Sequence, residues 1–232
     1  MMTSLLDKYL DVRFTGELAV PSPEHKGMVI TMSRETGCDG EPIVKEIIKQ
    51  LNAKLIGVSK NHPWQFVSKE IFEKSAKKLN VNVDIFDKLE SAQDKTFLQE
   101  ILDSFSTELY PSDFKIKKTY KEVIASCEKI GGVVILGRAG VAIVQHTKRN
   151  LHIQLTAPLA WRVEKIAKEY GHTKAKALKH IQKSDKQRDD LKKYYMKRKV
   201  QYSDYDVVLN VSTLTKKEIS NALVSMIEGK TK

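Results

Sequence analysis

The sequence predicts a doubly wound α/β fold built on a five-stranded parallel sheet. From residue 28 onward, short apolar segments alternate with longer segments of helical periodicity, a pattern typical of parallel strands joined by crossover helices. The first apolar segment leads into a turn with two glycines and then into a helix. Because ligands of such sheets bind at the carboxyl ends of the strands, we expect the functional residues there. The predicted strands are Val29–Met32, Lys54–Val58, Val133–Leu136, Leu151–Thr156 and Asp206–Val211.

The chain is predicted to divide into an N-terminal extension, residues 1–27, and one domain, residues 28–228. Residues from about 60 to 130 have helical periodicity and are too many for a simple crossover between the second and third strands. We therefore expect an inserted helical subdomain that covers one edge of the site. Within this segment, Trp64 and Phe66 either line a pocket or pack in the core, and we favour packing.

Three helices are predicted after the fourth strand. Pro158 sits where the first of them begins, and Gly171 marks its end. The second is strongly basic and runs from about Thr173 to Arg198. The start of the last helix is predicted from Thr215 and Glu218, which have the spacing of a capping box.

The composition predicts a soluble, cytoplasmic protein. Hydrophobic residues make up 41% of the 232 residues, enough for a substantial core, and no apolar run approaches the length of a membrane span. The two cysteines, Cys38 and Cys127, cannot form a disulfide framework, which suits a reducing compartment. The net charge of +11 would attract nucleotides, RNA or acidic lipid alike, so charge alone does not identify the partner.

The segment after the first strand has the pattern of a phosphate-binding loop. Gly37 and Gly40 permit a tight turn whose backbone N–H groups point inward, and the positive end of the following helix faces the same point. A full P-loop continues with Lys and then Ser or Thr, but Glu41 and Pro42 occupy these places here. The positive charge for a bound phosphate must therefore come from elsewhere in the chain.

Cys38 lies within this loop and has two interpretations. A helix N-terminus lowers the pKa of a thiol, which would make Cys38 oxidisable. The alternative, which we favour, is that it is a small, inert loop residue.

Arginines are scarce in this lysine-rich chain, and four of them fall in or beside recognisable elements: Arg34, Arg138, Arg162 and Arg188. Arg138 lies in a Gly-Arg-Ala-Gly segment at the end of the third strand, where it can grip a phosphate; the alternative is a tight turn with a solvated arginine. Asp185 and Arg188 are three residues apart and share one face of the basic helix. They either form an exposed ion pair or close over a bound nucleotide.

The ordered set of these segments resembles the cytidylate kinase-like family, which is similar to bacterial cytidylate kinases. The likeness spans about residues 28 to 228, and its specificity comes from the order of several short segments. These segments are Ser33-Arg34-Glu35, Gly37-x-x-Gly40, Lys69-Glu70-Ile71, Val134 to Arg138, Asp185-x-x-Arg188 with Tyr194-Tyr195, Tyr205-Asp206 and Leu209-Asn210.

The resemblance implies a P-loop NTPase-like fold of the nucleoside monophosphate kinase kind, with a monophosphate-binding insertion at about 60–130 and a helical lid at about 171–200. It implies ATP and Mg²⁺ as cofactors and a nucleoside monophosphate, CMP or dCMP first, as the substrate. The residues expected to take part in catalysis are Arg34, Arg138, Asp185 and Arg188. The residues expected to bind ATP are Ser33, Thr36, Gly37, Cys38, Asp39, Gly40 and Glu41 in the loop, with Asn210 and Ser212 near the adenine.

The loop departs from the family pattern at Asp39 and Glu41, which add two carboxylates beside a phosphate site. A carboxylate that faces a phosphate costs on the order of 1 to 4 kcal/mol at surface-like dielectric. Two hypotheses resolve the conflict: Arg34 supplies the missing cation, or Asp39 and Glu41 hold Mg²⁺. No individual metal ligand and no oligomeric state follow from the sequence.

Two other functions remain open. The chain is either an active kinase or a nucleotide-binding regulator in which Glu41 and Pro42 have ended transfer. A third interpretation is an RNA-associated protein that uses the basic helix from Thr173 to Arg198 as a phosphate clamp. We disfavour nucleic acid as a partner because this helix lacks regularly interleaved aromatic residues. A membrane partner is not expected.

Overall fold

The computed structural model describes residues 28–58, 63–67, 117–118, 121, 123–125, 127–128, 131–144 and 146–231. The chain separates into two compact units, residues 1–20 with 68–126, and residues 21–67 with 127–232. The fold given below is that of the second unit. The predicted N-terminal extension and most of the predicted insertion lie outside the described residues.

The centre of the second unit is a parallel sheet, as predicted. Its five strands have the order β2-β3-β1-β4-β5. β1 is the central strand, with β3 paired on one side and β4 on the other. All carboxyl ends therefore lie at one edge, and the chain order reverses beside β1, where open α/β sheets bind ligands. The strands are β1 (Val29–Arg34), β2 (Gln65–Val67), β3 (Val133–Leu136), β4 (Leu151–Thr156) and β5 (Val207–Asn210).

The second strand is not where the sequence pattern placed it. Of the predicted segment Lys54–Val58, the first residue ends a helix, and Leu55 takes a left-handed conformation with a φ of 53°. Ile56 is then buried against the core. The strand that occupies this edge is β2, which pairs with β3. The prediction was wrong because a hydrophobic helix end has the same apolar pattern as a short strand, and β2 lies within the segment of about 60–130 that was predicted as an insertion.

Besides the helical residues described between positions 117 and 128, five helices and one 3₁₀ turn complete the described elements. The predicted boundaries of the later helices are confirmed: Pro158 precedes α3, Gly171 ends it with a φ of 63°, and the Thr173 side chain caps α4 by accepting from the Lys176 amide. No helix in the described ranges is long and apolar enough to cross a membrane. The helices are α1 (Glu41–Lys54), α2 (Gly140–Ile143), α3 (Leu159–Tyr170), α4 (Lys174–Met196) and α5 (Lys216–Thr231), with the 3₁₀ turn at Tyr202–Asp204.

The main core lies between the sheet, α1 and α5. α1 buries Val44, Ile47 and Leu51 along one helical face, and α5 contributes Leu223 and Ile227 to the same cluster. Full burial of one such side chain stabilises the fold by about 1.5 to 3 kcal/mol. This packing fixes the first turn of α1, and with it the preceding loop, against the carboxyl edge of the sheet.

Two smaller predictions are also settled. Trp64 is buried, and its indole Nε1 donates to the Ile56 carbonyl at 2.7 Å, so it packs in the core. The capping box of α5 is present, because the Thr215 amide and hydroxyl both donate to the Glu218 carboxylate and the Glu218 amide donates to the Thr215 hydroxyl.

Candidate functional site

The loop between β1 and α1 is shaped by its two glycines. Gly37 has a φ of 91°, in the left-handed region, and an added Cβ would lie 3.3 Å from Cβ of Arg162. A Cβ on Gly40 would lie 2.8 Å from Cδ1 of Leu136. Both glycines are thus required by backbone conformation or by close packing. Ser33, the last buried residue before the loop, anchors its start.

The amides of this loop fall into two groups. The Thr36 amide donates to Oδ1 of Asp185 at 2.7 Å, and the Cys38 amide donates to the Glu35 carbonyl at 3.0 Å. The Glu41 amide donates to Oδ1 of Asp39 at 3.3 Å. In contrast, the amides at positions 37, 39 and 40 take part in none of the hydrogen bonds found among the described residues. These three donors are available to a bound anion.

Three arginines converge beside the loop from β1, from the turn after β3 and from α4. Arg34 places its guanidinium over Gly137, where an added Cβ would collide with Nη1. Arg188 donates from Nη1 to the Arg34 carbonyl at 3.0 Å. Arg138 and Ala139 both have left-handed backbones, with φ of 52° and 54°, a strained conformation that often occurs at functional sites. The structure therefore brings together the arginines that the sequence placed far apart.

Burial and the repulsion of neighbouring arginines lower the pKa values of Arg34 and Arg188. Burial, followed by the positive charges of Arg188 and Arg138, lowers the pKa of Arg34 to about 10, against the opposing effect of Asp39 and Glu41. Burial also lowers the pKa of Arg188. Neighbouring arginines whose charges repel one another form a positive environment in which a bound anion would be stabilised.

The two carboxylates that the sequence adds to the loop, Asp39 and Glu41, are exposed and have partners of their own. Glu41 pairs with Lys45 on the next turn of α1 at 2.7 Å, and both side chains are exposed. Asp39 is exposed and accepts the Glu41 amide. These residues line one side of an open groove of about 480 Å³ that also includes Lys49 and Lys216. The repulsion expected from their presence is therefore reduced by solvent exposure and by the pairing of Glu41 with Lys45.

Asp185 does not stand on an exposed surface as one half of a simple ion pair. Its Oδ1 accepts the Thr36 amide and hydroxyl, each at 2.7 Å, and its Oδ2 accepts from Nη1 of Arg162 at 2.7 Å. The Arg188 guanidinium is more distant, at 3.9 Å. The predicted lid residue is thus bonded directly to the loop in this structure.

Arg162 and Glu35 belong to the site but were not among its predicted residues. Arg162 is buried, and it lies 3.4 Å from Oε2 of Glu35. Both residues were visible in the sequence, Glu35 beside the loop and Arg162 among the few arginines. Their pairing depends on the parallel arrangement of β1 and β4, which brings Glu35 to the residues that follow β4.

The surroundings of Cys38 are those expected of a small, inert loop residue. Its side chain is buried, and burial, followed by the nearby charge of Glu35, raises the pKa of the thiol to about 11. Burial and the raised pKa both favour the inert alternative over an oxidisable thiolate. The effect of desolvation outweighs that of the helix N-terminus.

The turn after β5 lies at the same edge of the sheet as the loop. Asn210 holds this turn, because its Oδ1 accepts the Ser212 amide at 2.9 Å and the Ser212 hydroxyl at 2.7 Å. The residues expected near an adenine are therefore ordered by their own hydrogen bonds.

The described residues offer no self-contained metal cage. No group of three or more His, Cys, Asp or Glu side chains is suitably placed for a metal ion within them. Mg²⁺ commonly binds through one or two carboxylates together with substrate phosphates. Asp39 is an exposed carboxylate near the loop that fits this mode.

The fold and the loop define the chain as a doubly wound α/β protein of the P-loop-like class. Its sequence matches the model of the cytidylate kinase-like family over residues 29–213. The chain belongs to the cytidylate kinase-like family, and this membership supports a nucleotide kinase-like function. No curated protein matches the sequence.

A solved structure supports the same fold. The chain is similar to an uncharacterized protein from Eubacterium ventriosum ATCC 27560, with a TM-score of 0.58 and 18% sequence identity. The alignment covers 88% of this chain and 99% of the other. At this level of identity the likeness concerns the fold alone.

Proposed function

We propose that the protein transfers the γ-phosphoryl group of ATP to a nucleoside monophosphate, with CMP or dCMP as the first candidates. The observation that carries this proposal is the convergence of Arg34, Arg138 and Arg188 beside a loop with three available amides. Membership of the cytidylate kinase-like family supports the same class of reaction.

Phosphoryl transfer needs positioning and charge neutralisation rather than a covalent enzyme intermediate. In the proposed arrangement, the amides at Gly37, Asp39 and Gly40 hold the phosphates of ATP. Arg34 and Arg188 neutralise charge on the group in transfer, and Arg138 grips the phosphate of the acceptor. Mg²⁺ bound with the nucleotide adds positive charge at the phosphates.

The remaining predicted elements have matching roles in this proposal. Asn210 and Ser212 lie beside the adenine of ATP, in the turn that their own hydrogen bonds hold. α4, within the predicted lid at 171–200, carries Arg188 to the phosphates and excludes water from the site.

The direct test is CDP formation by the purified full-length chain with ATP, Mg²⁺ and CMP, followed by a panel of other monophosphates. An Arg138→Lys variant keeps the charge but loses the planar fork, so its catalytic efficiency should fall at least tenfold. Replacement of the exposed Lys168 by Gln gives a matched control away from the loop. The absence of any diphosphate product with every acceptor would refute the proposal.

A second candidate is a nucleotide-binding regulator without turnover. It is favoured by Glu41 and Pro42, which occupy the places of the Lys and the hydroxyl residue of an active P-loop. ATP would then raise the melting temperature of the chain while no monophosphate is phosphorylated. The same calorimetric and kinetic measurements distinguish the two candidates.

A further inference from the structure

We propose that Arg162 is a positioning residue that fastens α4 to the loop after β1 and thereby holds Arg188 beside Arg34. The proposal rests on the proposed function in one respect, since the fastened loop is the one assigned to ATP. Its geometric content, the connection of two distant segments through one buried guanidinium, can be tested without any nucleotide.

Arg162 stands in the first turn of α3 and is 7% exposed. Its Nε donates to the Ala157 carbonyl at 3.1 Å, which ties the guanidinium to the end of β4. Its Nη1 donates to the Thr36 carbonyl at 3.3 Å and to Oδ2 of Asp185 at 2.7 Å. One side chain therefore bonds the segment after β4, the loop and α4.

The carboxylate of Asp185 completes the connection from the other side. It accepts the Thr36 amide and hydroxyl through Oδ1 while it accepts Arg162 through Oδ2. Thr36 is therefore held at its carbonyl by Arg162 and at its amide by Asp185. This closed set of hydrogen bonds fixes the loop and the middle of α4 relative to each other.

Glu35 is the second carboxylate beside the Arg162 guanidinium, after Asp185. Its Oε2 lies 3.4 Å from Nε of Arg162 and also accepts the Thr156 hydroxyl at 2.7 Å and the Ala157 amide at 3.3 Å. A buried cation is stable only when it is paired and hydrogen-bonded, and Arg162 has two carboxylates for this purpose.

This pairing separates Arg162 from the three arginines assigned to phosphate. Arg34 has two arginines among the groups that shift its pKa most, whereas Arg162 has Asp185 and Glu35 as ion-pair partners. Arg162 is thus neutralised by the protein itself. Its effect on a nucleotide passes through α4, on which Arg188 follows Asp185 by three residues on the same helical face.

A lysine cannot replace Arg162 in this role. The acceptors lie in three different segments and match a planar fork with separate donors, whereas an ammonium is a single point of charge. Loss of the connection would let α4 shift relative to the loop. A misplacement of about 1 Å at a phosphate-transferring site can reduce the rate by about 100-fold.

The first test is hydrogen exchange of the full chain without ligand, with the variants Arg162→Lys and Asp185→Asn. The matched control is Glu164→Gln, which removes an exposed ion pair to Lys174 at 2.9 Å between the same two helices, α3 and α4. We expect exchange to rise about tenfold or more in both the loop of residues 33–41 and the middle of α4, with α5 unchanged. Unchanged exchange, or a rise in only one of the two segments, would overturn the proposal.

The second test is ATP affinity by titration calorimetry. Arg162→Lys and Asp185→Asn should each weaken binding about tenfold, while Glu164→Gln stays within twofold. A lower melting temperature with unchanged ATP affinity would show a merely structural role and would overturn the proposal. If the unaltered chain binds no ATP, the proposed function fails, and the exchange experiment alone then decides the role of Arg162. Asp185→Asn, a change of a half-buried side chain, serves both tests if Arg162→Lys does not fold.

Discussion

Arg188 donates a hydrogen bond from Nη1 to the backbone carbonyl of Arg34 at 3.0 Å, and this bond holds the Arg188 guanidinium at the carboxyl end of β1, whose last residue is Arg34. Arg34 and Arg188 come from segments 154 positions apart in the chain. Their approach is unfavourable electrostatically, and it is tolerated because the surrounding structure holds both residues. The arrangement therefore lowers the stability of the ligand-free protein and, at the same time, attracts an anion.

The first prediction concerns the effect of this repulsion on stability and on ATP binding. Replacement of Arg34 by Met removes one of the repelling charges but keeps most of the apolar side-chain volume, so the melting temperature without ligand should stay equal or rise. ATP at about 100 times its Kd stabilises a binding protein by about 2.7 kcal/mol, and the variant should lose this stabilisation. Differential scanning calorimetry with and without ATP measures both effects. Lys168→Gln, an exposed change of the same charge, should keep the ATP shift; an Arg34→Met protein that also keeps it would contradict the prediction.

The second prediction concerns the packing of the loop. Replacement of Gly40 by Ala places a Cβ 2.8 Å from Leu136 and 3.3 Å from the Met32 sulfur, so the free energy of unfolding should fall by about 1 to 3 kcal/mol. Gly229→Ala is the matched control, because a Cβ there meets nothing within 4 Å and alanine favours the helix by up to about 1 kcal/mol. Urea unfolding measures both. Equal stabilities of the two variants would show that the close contact at Gly40 is absent.

The third prediction concerns Cys38. Because burial raises the pKa of its thiol to about 11, the thiolate fraction at pH 8 should be about 100-fold lower than for a thiol with the ordinary pKa of 9.0. Alkylation by iodoacetamide should be slower by at least this factor in the folded protein than in urea. Cys127, whose pKa burial raises to about 12, should be protected as well. Rapid alkylation of folded Cys38 at pH 8 would contradict the buried position.

The fourth prediction concerns the acid limb of stability. Two hydrogen bonds from Arg198, and one from the Gln201 amide, hold the Asp204 carboxylate, and the Arg198 guanidinium lowers the pKa of Asp204 to about 2 from its usual 3.8. The contribution of the ionised carboxylate is complete above about pH 4 and is lost as the pH falls toward 2. Asp204→Asn should therefore lower the free energy of unfolding at pH 7 but make little difference at pH 2.

Urea unfolding at a series of pH values tests this expectation. Arg198→Gln removes the same pair from the other side and should give a similar profile between pH 4 and pH 2. A constant difference between Asp204→Asn and the unaltered chain across this interval would mean that the carboxylate is not held by Arg198 in solution.

The features that the sequence predicted well are those with a local cause. The glycines of the loop, Pro158 before α3 and the capping box at Thr215 all depend on residues a few positions apart. The parallel sheet also follows from the alternation of strands and helices. Its carboxyl edge then brings Arg34 and Arg138 together without further information.

The features that the sequence did not predict depend on distant partners or on competing local patterns. The prediction of a strand over Lys54–Val58 was wrong because an apolar helix end and an apolar strand have the same composition over five residues. In α3 the buried residues are Arg162 and Ile166, whereas the apolar neighbours Trp161 and Val163 are only partly buried. Nothing in the local sequence indicates that the charged residue is buried in preference to them. Its partner Asp185 lies on another helix, and Thr36 is 126 positions away.

The central place of β1 in the sheet has a consequence for synthesis. Thr31 and His152, on β1 and its neighbour β4, share a hydrogen bond across 121 positions of the chain. At about 5 to 20 residues per second, a ribosome delivers β4 about 6 to 24 s after β1. Until β3 and then β4 are synthesised, β1 has emerged without the strands that flank it, so the nascent chain exposes a segment that is buried in the folded domain and that chaperones can hold until translation reaches the second half.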